Sequence, residues 1–341
     1  MKKSGNAEKP GGAIMQRLRA SNIKFQDMVP FIAFFVIFIF FSILSYDGRN
    51  GNIRMLTPYN LNLILDQSML SIIIGSGVLF VVAQGSTDLS VGVNLALSGV
   101  VAMWVAHATG SAILLIPVSL AVGLIVGLFN GVIVSRFKVP SFMLTIAMLF
   151  GVRGLVNYIQ VSIATQRLPE SLAILNAPYI KIPMFLVILA VMAYVFEFTK
   201  IGRYSRAIGE NETAARFVGI PVNRSKLIAF ALSGLMAGVA SVFSLVTIGS
   251  TSQQMGVFLE IRVIMAIFLG GVLVTGGSSA KFYKILLGSF SITMIVNGLA
   301  IIGKADSQVS QSVQGILLLL ILAISIFVAG RAERKKPEDI G

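Results

Sequence analysis

The residues able to carry chemistry are few and poorly grouped. The chain has no cysteine and one histidine, His107. Disulfides, thiolate metal sites and cysteine nucleophiles are therefore excluded, and a Ser-His-Asp arrangement has almost nothing to work with. His107 ends an apolar run before Ala108-Thr109-Gly110 and reads as an interfacial polar group. No His or carboxylate cluster lies at catalytic or metal-ligating spacing, so neither a catalytic residue nor a metal site is expected. The segment Gly298 to Ala305 mimics the opening of a phosphate-binding loop. However, Ala305 stands where Ser or Thr would hold magnesium, and the preceding residues read as a membrane span, not a strand. The chain is expected to carry no cofactor of its own, and any ATP-Mg it depends on would sit on a partner ATPase.

Three other features remain. In the stretch from Gly202 to Pro221, Asn211 suits an N-cap, Glu212 the first turn, and Gly219 a C′ stop before Pro221. Ala214, Ala215, Phe217 and Val218 give the short helix between these caps a small apolar face, which is the form that docking into a partner's groove requires. The second feature is the Gly85-Ser86-Thr87-Asp88-Leu89-Ser90-Val91-Gly92 break between two apolar segments. Non-helical backbone at membrane depth survives only when buried in protein or facing water. Asp88 there is read as an N-cap of the following helix, a role compatible with a place near a transport path. The third is a set of polar groups in or near apolar segments. Asp66, Arg153, Glu260 and Arg262 are ionisable, and such groups normally face protein or water. Glu260 and Arg262, two apart on a helix, do not face each other. Asn94, Asn157, Asn297 and Gln160 are either interhelical hydrogen bonders or contacts for a polar solute.

These residues must be positioned by membrane helices. Of the 341 residues, 56% are hydrophobic and 12% charged, with mean hydropathy +0.88. A soluble domain is about 25% charged, so the composition excludes an ordinary soluble enzyme and a disordered chain. Apolar segments fall at 28–46, 60–84, 88–108, 112–135, 140–160, 182–199, 227–250, 257–275, 285–303 and 310–330. The net charge of +13 resolves once the loops are assigned to alternate sides. Twenty of the 27 basic residues fall in the N-terminal tail, the 136–138 turn, the 200–226 loop, the 281–284 turn and the C-terminal tail. Arg49, Arg54, Arg167, Lys181 and Lys304 fall on the other side. That asymmetry is the positive-inside pattern for ten helices with both termini cytoplasmic, and it makes nucleic acid an unneeded explanation of the charge. The expected fold is all-α and polytopic. A basic tail (1–26) precedes a transmembrane domain (27–330) with a cytoplasmic loop at about 200–226, and a second basic tail (331–341) follows. Gly123-x3-Gly127-x3-Gly131 and Gly234-x3-Gly238 mark close helix contacts.

In order along the chain come Gly85-x-x-Asp88-Leu89-Ser90-Val91-Gly92, then Gly202-Arg203…Ala207-x-Gly209-x-Asn211-x-x-Ala214-Ala215-x-x-x-Gly219-Ile220, then Gly270-Gly271…Gly276-Gly277. From about residue 25 to 330 this resembles the membrane permeases of bacterial ABC sugar importers of the ribose/galactose class. The resemblance implies a multi-pass protein of the cell (inner) membrane. It implies a second permease subunit, identical or not, an ABC ATPase, and a periplasmic or lipid-anchored solute-binding protein. It makes Gly209, Asn211, Glu212, Ala214, Ala215, Arg216 and Gly219 the element that seats on the ATPase. It places Asp88 near the translocation path, with Asn94, Asn157 and Asn297 as further path candidates. The chain departs from the family pattern at Glu210, where glycine is usual, at Leu259–Ile264, and at Ser278-Ser279-Ala280-Lys281, where a glycine-rich turn is usual. Two other readings stand beside this one. The chain could be a stand-alone secondary transporter or channel using Asp66, Asp88 or Glu260 as ion-coupled carboxylates. It could instead be an ABC permease for nucleosides or a sugar-like signal molecule.

Overall fold

The computed structural model describes residue 28, residues 30–302 except 49, 50 and 164, and six positions of a later apolar stretch (312, 315, 316, 319, 320 and 323). Both basic tails lie outside the described residues, as does most of the expected tenth span.

Helices dominate because nearly every apolar run is long enough to satisfy its backbone internally, as hydrocarbon demands. A short apolar helix, α1 (Pro30–Leu44), leads into a two-stranded hairpin, β1 (Tyr46–Asp47) and β2 (Asn52–Ile53). Then come α2 (Pro58–Ala83), α3 (Val91–Thr109), α4 (Leu115–Phe137) and α5 (Ser141–Ile163). One helical turn, α6 (Glu170–Ala173), precedes α7 (Pro178–Phe198). The polar helices α8 (Lys200–Glu210) and α9 (Glu212–Phe217) follow, then α10 (Val222–Ile248), α11 (Leu259–Leu269) and α12 (Phe282–Ile301). Seven of these, counting the Ala112–Phe137 run as one, are long and apolar enough to cross a bilayer. Proline opens α2 and α7 at the first position, where no N–H is needed.

The expected span at 257–275 is not a continuous helix. α11 has 11 residues, about 16 Å at 1.5 Å per residue and so about half the hydrocarbon thickness. Gly270 and Gly271 end it, and residues 272–276 are non-helical. Apolar composition alone could not separate a full span from a half-helix followed by an apolar loop.

α2 is the central element. Its most apolar window is 78% buried, against 17% for α5 and 22% for α7. The most extensive helix crossing is between α4 and α10, where the two glycine series meet. A Cβ on Gly234 would strike the Gly123 carbonyl oxygen and the Gly127 backbone, and one on Gly123 would strike Gly234 and Gly238. That approach lets Ser119 hydrogen-bond to the Gly238 carbonyl at 2.9 Å and to the Ser241 hydroxyl. With no hydrophobic drive between helices in lipid, such packing and hydrogen bonding supply the association.

Candidate functional site

One end of the molecule gathers the segments that the charge pattern placed in the cytoplasm. Gln84, just past α2, donates to Ser205 Oγ of α8 at 3.0 Å and to the Ser225 carbonyl of α10 at 3.1 Å. The backbone N–H of Thr87 donates to Ser141 Oγ, joining the α2–α3 break to the start of α5. Glu210 at the end of α8 reaches the turn at 277–279.

α9 stands at this end, folded as its caps dictate. Asn211 Oδ1 accepts from the Ala214 N–H at 2.9 Å. Gly219 closes the helix at φ +84°, a conformation that glycine adopts without strain. Its six residues present three different surfaces. Ala215 is buried against Ile208, Ile220 and Val222, so it faces the permease interior and not solvent. Ala214 is exposed, and Phe217 and Val218 are 87% and 77% exposed. Glu212 and Arg216 form an ion pair one turn apart, and Glu212 also binds Lys226 of α10; both distances are 2.7 Å. Hydrogen bonds from Lys226 and Arg216 hold the Glu212 carboxyl below the usual glutamate range. The Glu212–Lys226 link, which ties α9 to α10, had no local signature in the sequence.

The second region is the break before α3. Ser90, not Asp88, occupies the cap position, and its side chain caps no helical N–H. Asp88 instead accepts from the Ser90 N–H at 3.0 Å and the Ser90 hydroxyl at 2.6 Å, while its other oxygen accepts from Ser233 Oγ of α10 at 2.7 Å. The expected capping role is therefore replaced by a brace between the break and α10. Ser233 lies about 16 Å along α10 from its first residue at 1.5 Å per residue, so the brace sits at membrane depth. Asn130 of α4 donates to Ser90 Oγ at 2.8 Å, completing a three-helix polar knot.

The third region approaches α3 from the opposite end. Thr251 donates its N–H to the Gln166 carbonyl, and Leu168 donates to Gly249, fixing the start of a non-helical stretch. Near the end of the stretch, which runs to Phe258, the Gly256 backbone lies against Gly92 in the first turn of α3. α11 starts just beyond, at Leu259, so two helix beginnings come together inside the bundle. Arg153 of α5 donates to the Met255 carbonyl at 2.9 Å. Glu260 is buried beside Gly92, and its Oε2 finds no partner among the described residues. Sequence reasoning did not join Arg153 to this stretch, because their separation of 102 residues leaves no local pattern.

The remaining candidates divide clearly. Asn94 donates to the Gly123 carbonyl at 3.2 Å, and Asn297 donates to Gln67 and to the Thr293 carbonyl. Both are buried and occupied in helix packing. Asn157 is exposed on α5. Gln160, one turn further, is buried with neither amide atom partnered among the described residues. Asp66 pairs with Lys181 at 2.6 Å. His107 hydrogen-bonds the Arg167 carbonyl.

A bundle of membrane-spanning helices with a braced break, a half-helix and a capped polar helix at one end has the parts of a transporter. The family profile described as branched-chain amino acid transport system / permease component matches residues 60–322. The chain belongs to that family. The permease is 30% identical over 277 residues to the ribose import permease protein RbsC of Escherichia coli K12, covering 79% of this chain and 86% of the relative. It is 34% identical over 277 residues to the L-arabinose ABC transporter permease protein AraH of Azospirillum brasilense, with 78% and 80% covered. It is 29% identical over 265 residues to the autoinducer 2 import system permease protein LsrC of Photorhabdus laumondii, with 76% and 79% covered. These relatives are transport permeases, in agreement with the resemblance read from the motifs. The permease is a multi-pass membrane protein.

Proposed function

We propose that this chain is the membrane subunit of an ATP-driven importer for a monosaccharide or a sugar-like solute. ATP-Mg is bound by a separate ABC ATPase, and a second permease subunit and a solute-binding protein complete the assembly. The observation that carries this is the construction of α9. The helix is anchored inward by Ala215, tied laterally by Glu212 to Lys226, and bears Phe217 and Val218 outward. An isolated loop has no use for such an arrangement, whereas a partner that pushes on the bundle needs a rigid handle with an apolar face. The residues from Gly209 to Gly219 are that handle in this reading.

The solute class is supported by relatives named for ribose, L-arabinose and autoinducer 2 import. Transport proceeds by alternating access: ATP-driven closure of the ATPase moves α9 and shifts the bundle between outward-facing and inward-facing populations. The braced Asp88 break and the Gly92–Gly256 contact are the places where non-helical backbone lets helices rearrange.

The test is ATP-driven uptake in proteoliposomes carrying the purified complex. Phe217→Glu is expected to abolish uptake and stimulated ATP hydrolysis while the chain stays in the membrane. Uptake driven by an ion gradient with this chain alone would overturn the reading. Binding of candidate solutes to the cognate solute-binding protein then fixes the substrate.

A further inference from the structure

A cavity of about 500 Å³ opens at the cytoplasmic end, beside α9 and apart from its exposed apolar face. Its walls come from the α2–α3 break, the α4–α5 turn, α9 and the start of α10. Its volume lies within the ~300–1,000 Å³ range of small-ligand pockets. Three cations line it, Lys138, Arg216 and Lys226, and the only lining carboxylate among the described residues is Glu212. Glu212 is shared between Arg216 and Lys226, so the wall carries a surplus of positive charge.

Lys138 is the telling residue. Its side chain forms no hydrogen bond or ion pair among the described residues, and it closes α4 as the left-handed cap at φ +57°, which sets it at the rim of the cavity. The Arg216 guanidinium uses one nitrogen on Glu212. Its fork of further N–H donors matches a phosphate better than a lone point charge does. Ser86, Thr87 and Asn223 add hydroxyl and amide groups around the same space, suited to the polyhydroxylated body of a ligand.

We infer that this cavity binds an organic phosphate, a phosphate ester on a small polar body. The phosphate sits among Lys138, Arg216 and Lys226 and draws the latter two from Glu212. It thereby bridges the α4–α5 turn, α9 and α10, and holds α9 in place. A phosphorylated form of an imported solute, made by a phosphoryl-transfer reaction on the inner side, would restrain further import in this way. A lipid headgroup carries the same phosphate chemistry, and the experiment separates the two sources.

The full-length chain is placed in nanodiscs of phosphatidylcholine alone and titrated calorimetrically with ribose 5-phosphate, inorganic phosphate and ribose. The expected result is saturable binding of the two phosphates and none of ribose. Lys138→Gln weakens binding at least fivefold, Lys138→Arg restores it, and Lys138→Gln with Arg216→Gln removes it. Thermal unfolding of each variant shows that the loss is local. In nanodiscs containing phosphatidylglycerol, displacement of the sugar phosphate assigns the phosphate to a lipid headgroup at the same site. Absence of saturable phosphate binding in phosphatidylcholine without displaceable lipid overturns the proposal, as does binding indifferent to Lys138→Gln. Loss of binding on adding the partner ATPase overturns the regulatory role. The binding measurement needs no transport, so it can fail while the importer reading stands.

Discussion

Glu210 Oε1 accepts a hydrogen bond from the backbone N–H of Ser278 at 2.7 Å. Both residues stand where the resembling family usually has glycine-rich sequence, and the structure puts the two departures in contact. The Glu210 side chain also packs directly over Gly277. The end of α8 is thus fastened to the turn between α11 and α12. Glu210→Ala removes this fastening, at a cost of about 1 kcal/mol for a hydrogen bond of this kind. The expected outcome is a lowered transport rate per ATP hydrolysed with normal insertion, measured as the ratio of uptake to hydrolysis in proteoliposomes.

Ala215 and Phe217 allow folding to be separated from the proposed docking. Ala215→Glu forces a carboxylate into the Ile208–Ile220–Val222 contact, so it should destabilise the α8–α9 segment and lower the thermal midpoint of the permease alone. Phe217→Ser removes an exposed ring and should change stability by no more than about 0.5 kcal/mol, as surface changes usually do, leaving that midpoint nearly unmoved while weakening ATPase association. Equal midpoints for the two variants would contradict the three-faced description of α9.

Asp88 braces α3 to α10 through Ser233. In Asp88→Ala the Ser233 hydroxyl, the Ser90 hydroxyl and the Ser90 N–H lose their acceptor, each costing about 1–3 kcal/mol when buried. Expected are reduced stability and uptake lowered more than tenfold. Ser233→Ala removes only one of the three bonds and should be several times milder. Uptake assays and detergent melting curves on both variants check the order.

Gly234→Leu drives a side chain into the Gly123–Gly127 backbone. Overpacking typically costs about 1–3 kcal/mol, and here the obstacle is backbone that cannot rotate away. The measurable outcome is early aggregation on heating in detergent, with little effect expected from Gly154→Ala, where the glycine meets open space.

The tether from Glu212 to Lys226 has a defined pH response. Because the folded carboxyl titrates below its ordinary value, its stabilisation is complete above the usual glutamate range and is lost as pH falls through the lower folded value. The chain has no cysteine, so a single spin label at Ala214→Cys reports α9 mobility without background. That mobility should be constant from neutral pH down through the ordinary glutamate range and rise only below it. Glu212→Gln should be mobile throughout.

Much of this molecule was legible in its sequence, and the reasons are physical. The spans at 60–84, 88–108, 112–135, 140–160, 182–199, 227–250 and 285–303 follow from hydrocarbon length, unlike 257–275, and the α9 caps from Asn211 and Gly219, because each is a local requirement met by neighbouring residues. The small-residue series at Gly123–Gly131 and Gly234–Gly238 likewise announced a close crossing, although not that they would meet each other. Long-range pairings were not legible. Asp88 with Ser233, Arg153 with the Met255 carbonyl, and Glu210 with Ser278 depend on how helices assemble. The inward position of Ala215 was not legible, because a two-alanine face looks the same from either side until Ile208 and Val222 cover one of them. Asn94 and Asn297, candidates for solute contact, turned out to be occupied in helix packing, which uses the same donors.

The brace between Asp88 and Ser233 spans 145 residues, and this has a consequence for how the protein is made. At ribosomal rates of about 5–20 residues per second, Asp88 is synthesised roughly 7–30 seconds before Ser233 exists. During that interval the carboxylate that will be buried at depth lacks one of its partners, and the central helix α2 lacks the α10 surface that will cover it. The first three helices are therefore a waiting assembly. A nascent chain halted before Ser233 should be a preferred target for membrane quality control, and one halted just beyond α10 should escape it.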